Sequence, residues 1–306
     1  MTALLAIVTV TAFGTWIPLA QLRPGVPQRS RTFYATVGNL VIAATALLAG
    51  GARLEFGWRQ FWLPLAGGVV WTAGGYAAFR ASETIGLARA AGTWTPLNIF
   101  VAFGWGAVLF GELAHWSAAR FAILGTALLA VLAGVALIVT AGDRLPVAAS
   151  PQAAVAGGLG RVTPAAHGGL LWAFAAGILW GSYFVPAQWA EVPAQVSDFP
   201  LALGIFGAGL GLALGAGEPV RLGVRDMTTQ VGAGVLFGIG NLTLLGLVAR
   251  VGTGTGFTIA QLSLLVNASI GVWVFHTPKP GTPQARRVLA GILIAGAGGC
   301  VVGALR

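Results

Sequence analysis

The chain has 306 residues, of which 57% are hydrophobic and only 8% charged. Soluble domains carry about 25% charged residues, so this composition excludes a fully water-facing surface and turns most of the exterior toward lipid. The formal charge is +9, but the basic residues fall one to three per loop, with no run or stripe to hold nucleic acid.

Helices are expected throughout, because an unpaired backbone group in lipid costs several kcal/mol and a span of about 20 apolar residues pairs all of its own. In chain order the expected spans are 2–20, 32–50, 61–81, 90–111, 118–141, 168–189, 199–216, 229–249, 255–275 and 285–305. The alternation of barrel strands is missing. The first span lacks a basic leader region and reads as a retained helix rather than a signal peptide. Residues 143–167, DRLPVAASPQAAVAGGLGRVTPAAH, are rich in Pro, Ala and Gly and read as a linker. The expected organisation is a first unit of five spans over 1–142, the linker, and a second unit of five spans over 168–306.

Residues 12–21 read AFGTWIPLAQ, and residues 177–190 read GILWGSYFVPAQWA. From Gly14 to Gln21 the order is glycine, hydroxyl, aromatic, proline, Ala-Gln; Gly181 to Gln188 repeats it. An offset of 166 aligns Gly38 with Gly204, Gly68 with Gly234, Gly74 with Gly240, and Gly125 with Gly291. Five is odd, so a duplicated second unit enters the membrane from the opposite side. The expected fold class is an all-α integral membrane protein of ten transmembrane helices in two inverted five-helix repeats, an arrangement typical of transporters.

The loops after odd-numbered spans hold 12 of the 17 Arg and Lys residues, and the other side holds five. The richer side is expected in the cytoplasm, with both termini outside. The expected location is a plasma membrane, of the bacterial inner-membrane kind.

Polar groups inside spans mark candidate sites. Carboxylates are scarce there: Glu83 and Glu112 are the embedded acids, and the remaining acids are placed in loops or at span ends. Intramembrane ionisable residues usually mark ion or proton pathways, so Glu83 and Glu112 are the candidates for carrying a coupled proton. Whether the coupling ion is a proton or sodium stays open. Amides and aromatics are plentiful. The candidate substrate-binding residues are Trp16, Asn39, Trp71, Trp94, Asn98, Tyr183, Gln188, Asn241, Gln261 and Asn267. An amide offers donor and acceptor together, and ring faces suit the apolar face of a sugar. The expected partner, besides membrane lipid, is a small neutral polar solute. Pro18 and Pro186 are expected to kink the first helix of each unit toward the centre.

The glycine runs follow no strand and lack a Lys-Ser/Thr ending, which excludes a phosphate loop. Cys300 is the single cysteine, and His115, His167 and His276 form no ligand pair at helical spacing. No catalytic motif occurs. A non-enzymatic protein without cofactor or metal is expected.

Several phrases together resemble the drug/metabolite transporter superfamily, in particular its ten-helix sugar porter branch of glucose/ribose porters and rhamnose–proton symporters. They are GSYFVP (181–186), GIGN (238–241), TGFTIAQLS (255–263) and VLFGE (108–112). The stretch GTW…LRPGVPQRSRTFYATVGNLVIAA (14–44) is also similar to the opening of ureide permeases. The resemblance carries binding roles to Asn241 and Gln261 and marks Glu112 as the end of the fourth helix. It departs at Gly74-Gly75, where relatives have Gly-Asn, and at FHTPKP (275–280), where they end in an acid. It implies a secondary transporter of sugars or similar neutral polar metabolites working by alternating access. The alternative is a ureide or nucleobase permease, or a metabolite or drug exporter of the same superfamily.

Overall fold

The computed structural model describes residues 1–23, 25–51, 57–85, 87–114, 116–142, 164–191, 194–215, 221–276 and 279–305. Most of the 143–167 linker, the histidines His115 and, as a side chain, His167, and the side chains of Glu83, Pro96 and Cys300 lie outside the described residues.

The described chain is helical, with no strand among the described residues. The helices are α1 (Thr2–Gln21), α2 (Gln28–Ala49), a π-helical turn (Trp58–Trp62) leading into α3 (Leu63–Ile85), α4 (Leu87–Val108), and α5 (Ala118–Gly142). After the linker come α6 (Pro164–Trp180), α7 (Val185–Trp189), α8 (Ala194–Leu214), α9 (Val224–Val251), α10 (Thr253–Gln261), α11 (Ser263–Trp273) and α12 (Pro283–Ala304). Among the described residues, seven stretches are long and apolar enough to cross a membrane: Thr2–Gln21, Arg29–Ala49, Ala118–Leu137, Gly168–Trp189, Val196–Leu214, Val224–Val251 and Thr253–Trp273. The protein is therefore an all-α, multi-pass membrane protein.

Packing follows a reciprocal scheme. Helix α1 lies on α9 while α6 lies on α3; α2 lies on α9 while α8 lies on α3; α4 meets α6 while α11 meets α1. Three further contacts, α2 with α8, α4 with α10 and α5 with α12, join counterparts directly. The closest approaches run through glycine, because lipid supplies little driving force and helices must gain van der Waals contact instead. A Cβ on Gly38 would sit 2.1 Å from the Val231 carbonyl, and one on Gly234 would sit 1.9 Å from the Ala35 carbonyl. A Cβ on Gly68 would sit 2.1 Å from the Leu201 carbonyl, and one on Gly204 would sit 2.0 Å from the Leu65 carbonyl. The two crossings thus use the same two glycine pairs with partners exchanged: Gly38 against Gly234, Gly68 against Gly204. In each pair of counterparts (Gly38 and Gly204, Gly68 and Gly234) the offset is the 166 residues read from the sequence.

Two helical stretches break. Between α6 and α7 the amides turn to i−3 acceptors, Ser182 N–H to Leu179 O at 3.1 Å and Val185 N–H to Ser182 O at 3.0 Å. Between α10 and α11, Leu262 N–H bonds Ile259 O at 3.0 Å. The repeated phrase therefore behaves differently in its two copies. Helix α1 runs unbroken through Pro18, whereas α6 stops at Trp180, Gly181 lies in the turn that follows, and Pro186 stands in the first turn of α7. Thr15 and Ser182 both return their hydroxyls to the carbonyl one turn back, Thr11 O and Ile178 O. Ser182 also accepts from the Trp105 indole at 2.8 Å, a pull across to α4 that Thr15 lacks in the described contacts.

Gly234→Ala should lower the unfolding temperature in detergent, because overpacking costs about 1–3 kcal/mol. In the same helix, a Cβ on Gly232 meets nothing closer than 3.8 Å. Gly232→Ala should leave the melting point unchanged or raise it, since alanine favours helix by up to about 1 kcal/mol.

Candidate functional site

Where α1, α3, α6 and α9 converge, the core is aromatic. Phe237 of α9 sits at its middle, with ring centroids 5.7 Å from Phe13, 5.3 Å from Trp16 and 4.7 Å from Trp71. Trp71 continues to Trp180 at 6.3 Å, and Trp180 meets Trp94 of α4 edge-on at 5.5 Å. The Trp180 indole donates to the Trp71 carbonyl at 3.1 Å, which fixes its ring orientation. Ring pairs at these separations favour tilted and edge-on geometry. Trp16, Trp94 and Trp180 are only partly buried.

A polar network borders these rings. Tyr183, in the turn between α6 and α7, donates its hydroxyl to Asn241 Oδ1 at 3.0 Å. Asn241 Nδ2 donates to Asp198 Oδ1 at 2.8 Å. Tyr183 is 4% exposed, and Asn241 and Asp198 are fully buried. One chain of hydrogen bonds therefore ties α9 to α8 and to the α6–α7 break. Nearby amides have spare capacity. Neither side-chain polar atom of Asn39 finds a hydrogen-bond partner among the described residues, nor does Asn98 Oδ1. Buried polar groups are nearly always paired, so such atoms suit a hydroxylated ligand or bound water. The Asn39 Cα would lie 3.1 Å from a Cβ on Gly238, one turn before Asn241 in α9.

The sequence-derived candidates thus divide. Trp16, Trp71, Tyr183 and Asn241 come together at the core, and Trp94 joins through Trp180. Asn98 is buried one turn from Trp94 in α4, and Asn39 lies against α9. Gln261 and Asn267 are half-buried on α10 and α11, with no hydrogen bond to the Asn241 network among the described residues. Gln188 belongs to a different cluster. Its Nε2 donates to Glu112 Oε1 at 3.4 Å, and its Oε1 accepts from the Thr253 hydroxyl.

Glu112 anchors that second cluster. Its Oε1 accepts from Thr253 N–H at 2.5 Å and its Oε2 from Gly254 N–H at 3.2 Å. The carboxylate therefore caps the first turn of α10, where free N–H groups and the helix dipole favour an anion. Gly252, with φ +83°, makes the turn into α10, and a Cβ there would lie 2.8 Å from Glu112 Oε2. A cavity of about 290 Å³ adjoins this cap, lined by Glu112, Trp116, Arg250, Gly252 and Thr255 among others.

Sequence reasoning missed three participants. The expectation that Asp198 lies in a loop or at a span end is corrected here: α8 begins at Ala194, not near 199, and takes Asp198 inside a helix with no exposure. Phe237 and Trp180 were also left out of the site. For Phe237 the signal was spacing, since it lies four residues before Asn241, on the same helical face.

Replacing Glu112 with alanine should destabilise the protein by about 0.5–2 kcal/mol, the ordinary cost of a lost N-terminal cap. Glu112→Gln keeps an acceptor and should lose less, and thermal melting in detergent would rank the two.

The sequence model of the sugar transport protein family matches residues 4–305. A Listeria monocytogenes protein provisionally named as a sugar uptake protein is 22% identical over 303 residues, covering 99% of this chain and 98% of the relative. A Listeria innocua protein of the same provisional name has the same identity and coverage. A crystal structure of a protein 22% identical in sequence superimposes with a TM-score of 0.71, over 99% of this chain and 96% of the other; at that identity the likeness speaks for the fold. The family match covers nearly the whole chain, and the protein belongs to the sugar transport protein family.

Proposed function

We propose that this protein is a secondary transporter that moves a sugar or similar neutral polar metabolite across the plasma membrane by alternating access. In this reading it is a member of the drug/metabolite transporter superfamily. Ten spans form two inverted five-helix repeats, 1–142 and 168–306, joined by the 143–167 linker, with both termini outside. The exchanged glycine partners at the α2–α9 and α3–α8 crossings support an internal two-fold relation between the units, and the odd number of spans in each unit makes that relation an inverted one.

The observation that carries the reading is the aromatic and amide cluster where α1, α3, α6 and α9 meet. Ring faces of Trp16, Trp71, Trp94 and Trp180 suit the apolar face of a pyranose. Asn39 and Asn98, with buried unpartnered atoms, suit its hydroxyls. The cluster's buried polar groups lie where the two repeats would rock against each other. The α6–α7 break at Gly181–Phe184, which contains Tyr183, supplies a hinge. A ureide or nucleobase is the second cargo this cluster accommodates, since flat conjugated rings stack on Trp and pair with amides.

Uptake of a labelled panel of sugars, ureides and nucleobases into proteoliposomes tests the assignment. Saturable uptake of a sugar is expected, and preference for a nucleobase or ureide would move the cargo. Asn241→Ala and Trp71→Ala should each reduce uptake about tenfold or more, the scale of one lost buried contact. Unchanged saturable uptake in both variants contradicts the site. A transported solute at 100 times its Kd should also stabilise the folded protein by about 2.7 kcal/mol and raise its melting point.

A further inference from the structure

The core network contains a carboxylate that solute binding alone does not require. Asp198 is fully buried in α8. Its Oδ1 accepts from Asn241, and no described donor reaches its Oδ2. An ionised carboxylate with a bare oxygen in apolar surroundings is strongly disfavoured unless a counter-charge lies beside it.

The elements packed on α8 supply no such counter-charge. These are α2, α3, α7, α9 and the π-helical turn. Helix α2 carries Arg29, Arg31 and Tyr34, and the π-helical turn carries Arg59. Helix α3 carries Tyr76 and Arg80, with the Glu83 side chain outside the described residues; α7 carries no titratable group. Helix α9 carries Arg225, Asp226 and Arg250. Asp226 pairs with Arg23 at 2.5 Å, and Arg31 donates to the Arg23 and Val26 carbonyls. No ion pair to Asp198 occurs among the described residues, and Tyr183 alone among titratable groups joins its network, through Asn241. A divalent cation is a poor occupant, because it needs several oxygen ligands and the described residues hold no group of three or more His, Cys, Asp or Glu around one point.

A proton is the occupant that fits. On Oδ2 it removes the charge and turns a bare acceptor into a donor. We propose that Asp198 is the proton-carrying residue of the transport cycle, with Asn241 and Tyr183 as positioning residues that link it to the aromatic site. The inference rests on the transport reading above. Asp198 lies one turn into α8, next to the loop that the proposed orientation puts outside. A proton from the outer water binds Oδ2, the neutral acid passes through the rocking step with the solute, and the same proton leaves to the inner water. No bond in the solute changes. Glu112, whose two oxygens already accept from the α10 amides, is the poorer carrier.

The test uses purified full-length protein in proteoliposomes, with two arms: sugar exchange without a gradient, and accumulation driven by acid outside. One proton per sugar and one pH unit permit up to about tenfold accumulation. The wild type is expected to concentrate sugar several-fold. Asp198→Asn is expected to equilibrate sugar without concentrating it, and its exchange, whatever its rate, should no longer vary with pH. Asp198→Glu keeps a titratable group and should concentrate sugar with a displaced pH midpoint, a readout that a merely structural role would not move. Accumulation by Asp198→Asn equal to that of the wild type overturns the proposal. If Asp198→Asn does not assemble, an undisplaced midpoint in Asp198→Glu overturns it. Exchange by the wild type without acid-driven accumulation overturns the coupling and leaves the transport reading standing. No exchange of any sugar overturns both.

Discussion

Backbone contact through glycine is the constraint on which the remaining structure depends. In lipid, apolar side chains gain little by leaving their surroundings, so helices hold together by close fit. At the crossings of α2 with α9 and α3 with α8, Gly38, Gly234, Gly68 and Gly204 leave no room for a Cβ. These four helices are thereby fixed at backbone distance. The α5–α12 contact repeats the device through Gly134 and Gly298, where a Cβ would lie 2.5 Å from Ala295 N and 2.6 Å from Ala127 O. Larger side chains are displaced from the crossings and collect beside them, which is where the rings of Phe237, Trp71 and Trp180 meet.

A tight frame sets the terms for polar groups inside it. The Tyr183–Asn241–Asp198 chain crosses three elements, and its members are almost wholly removed from solvent. In such surroundings hydrogen bonds are strong and unpaired groups expensive. A movement of the α6–α7 turn relative to α9 therefore has to break or exchange the Tyr183 bond. In the proposed cycle, such a movement would tie solute access to the state of the carboxylate at the other end of the chain. The Glu112 cap works differently. Its oxygens are committed to the first amides of α10, and it fixes a helix end beside the cavity lined by Trp116 and Arg250.

Much of the fold was legible because membrane helices obey few rules. Apolar length located the helices, and the recurrence of one phrase with a constant offset between glycines suggested duplication. Four of the glycines that aligned at a constant offset, Gly38, Gly68, Gly204 and Gly234, are the ones whose crossings exchange partners. Within the site, Tyr183 and Asn241 were found because a polar group in an apolar run stands out. Asp198 was not, because the seventh span was started at 199 rather than at Ala194. Gln195, Ser197 and Asp198 lower the local hydropathy enough to resemble a loop, and only tertiary packing supplies the Asn241 amide that lets the acid be buried. Gln188 was placed at the centre from its position in the repeated phrase. The break at Gly181–Phe184 redirects the following residues, and it meets Glu112 and Thr253 instead. Pro18 shows the converse: the same phrase in α1 keeps its helix, since Thr15 bonds only its own turn in the described contacts.

The mirrored arrangement of the two five-helix units is the central claim, and sidedness of two matched loops tests it directly. Gly25 precedes α2, and Glu191, which is exposed at φ +57°, precedes α8. Single cysteines at these positions, in a Cys300→Ser background, can be probed in intact cells with a membrane-impermeant maleimide. The mirrored account requires Glu191→Cys to react from outside and Gly25→Cys to react only after the membrane is opened. Labelling of both positions from the same side would contradict it.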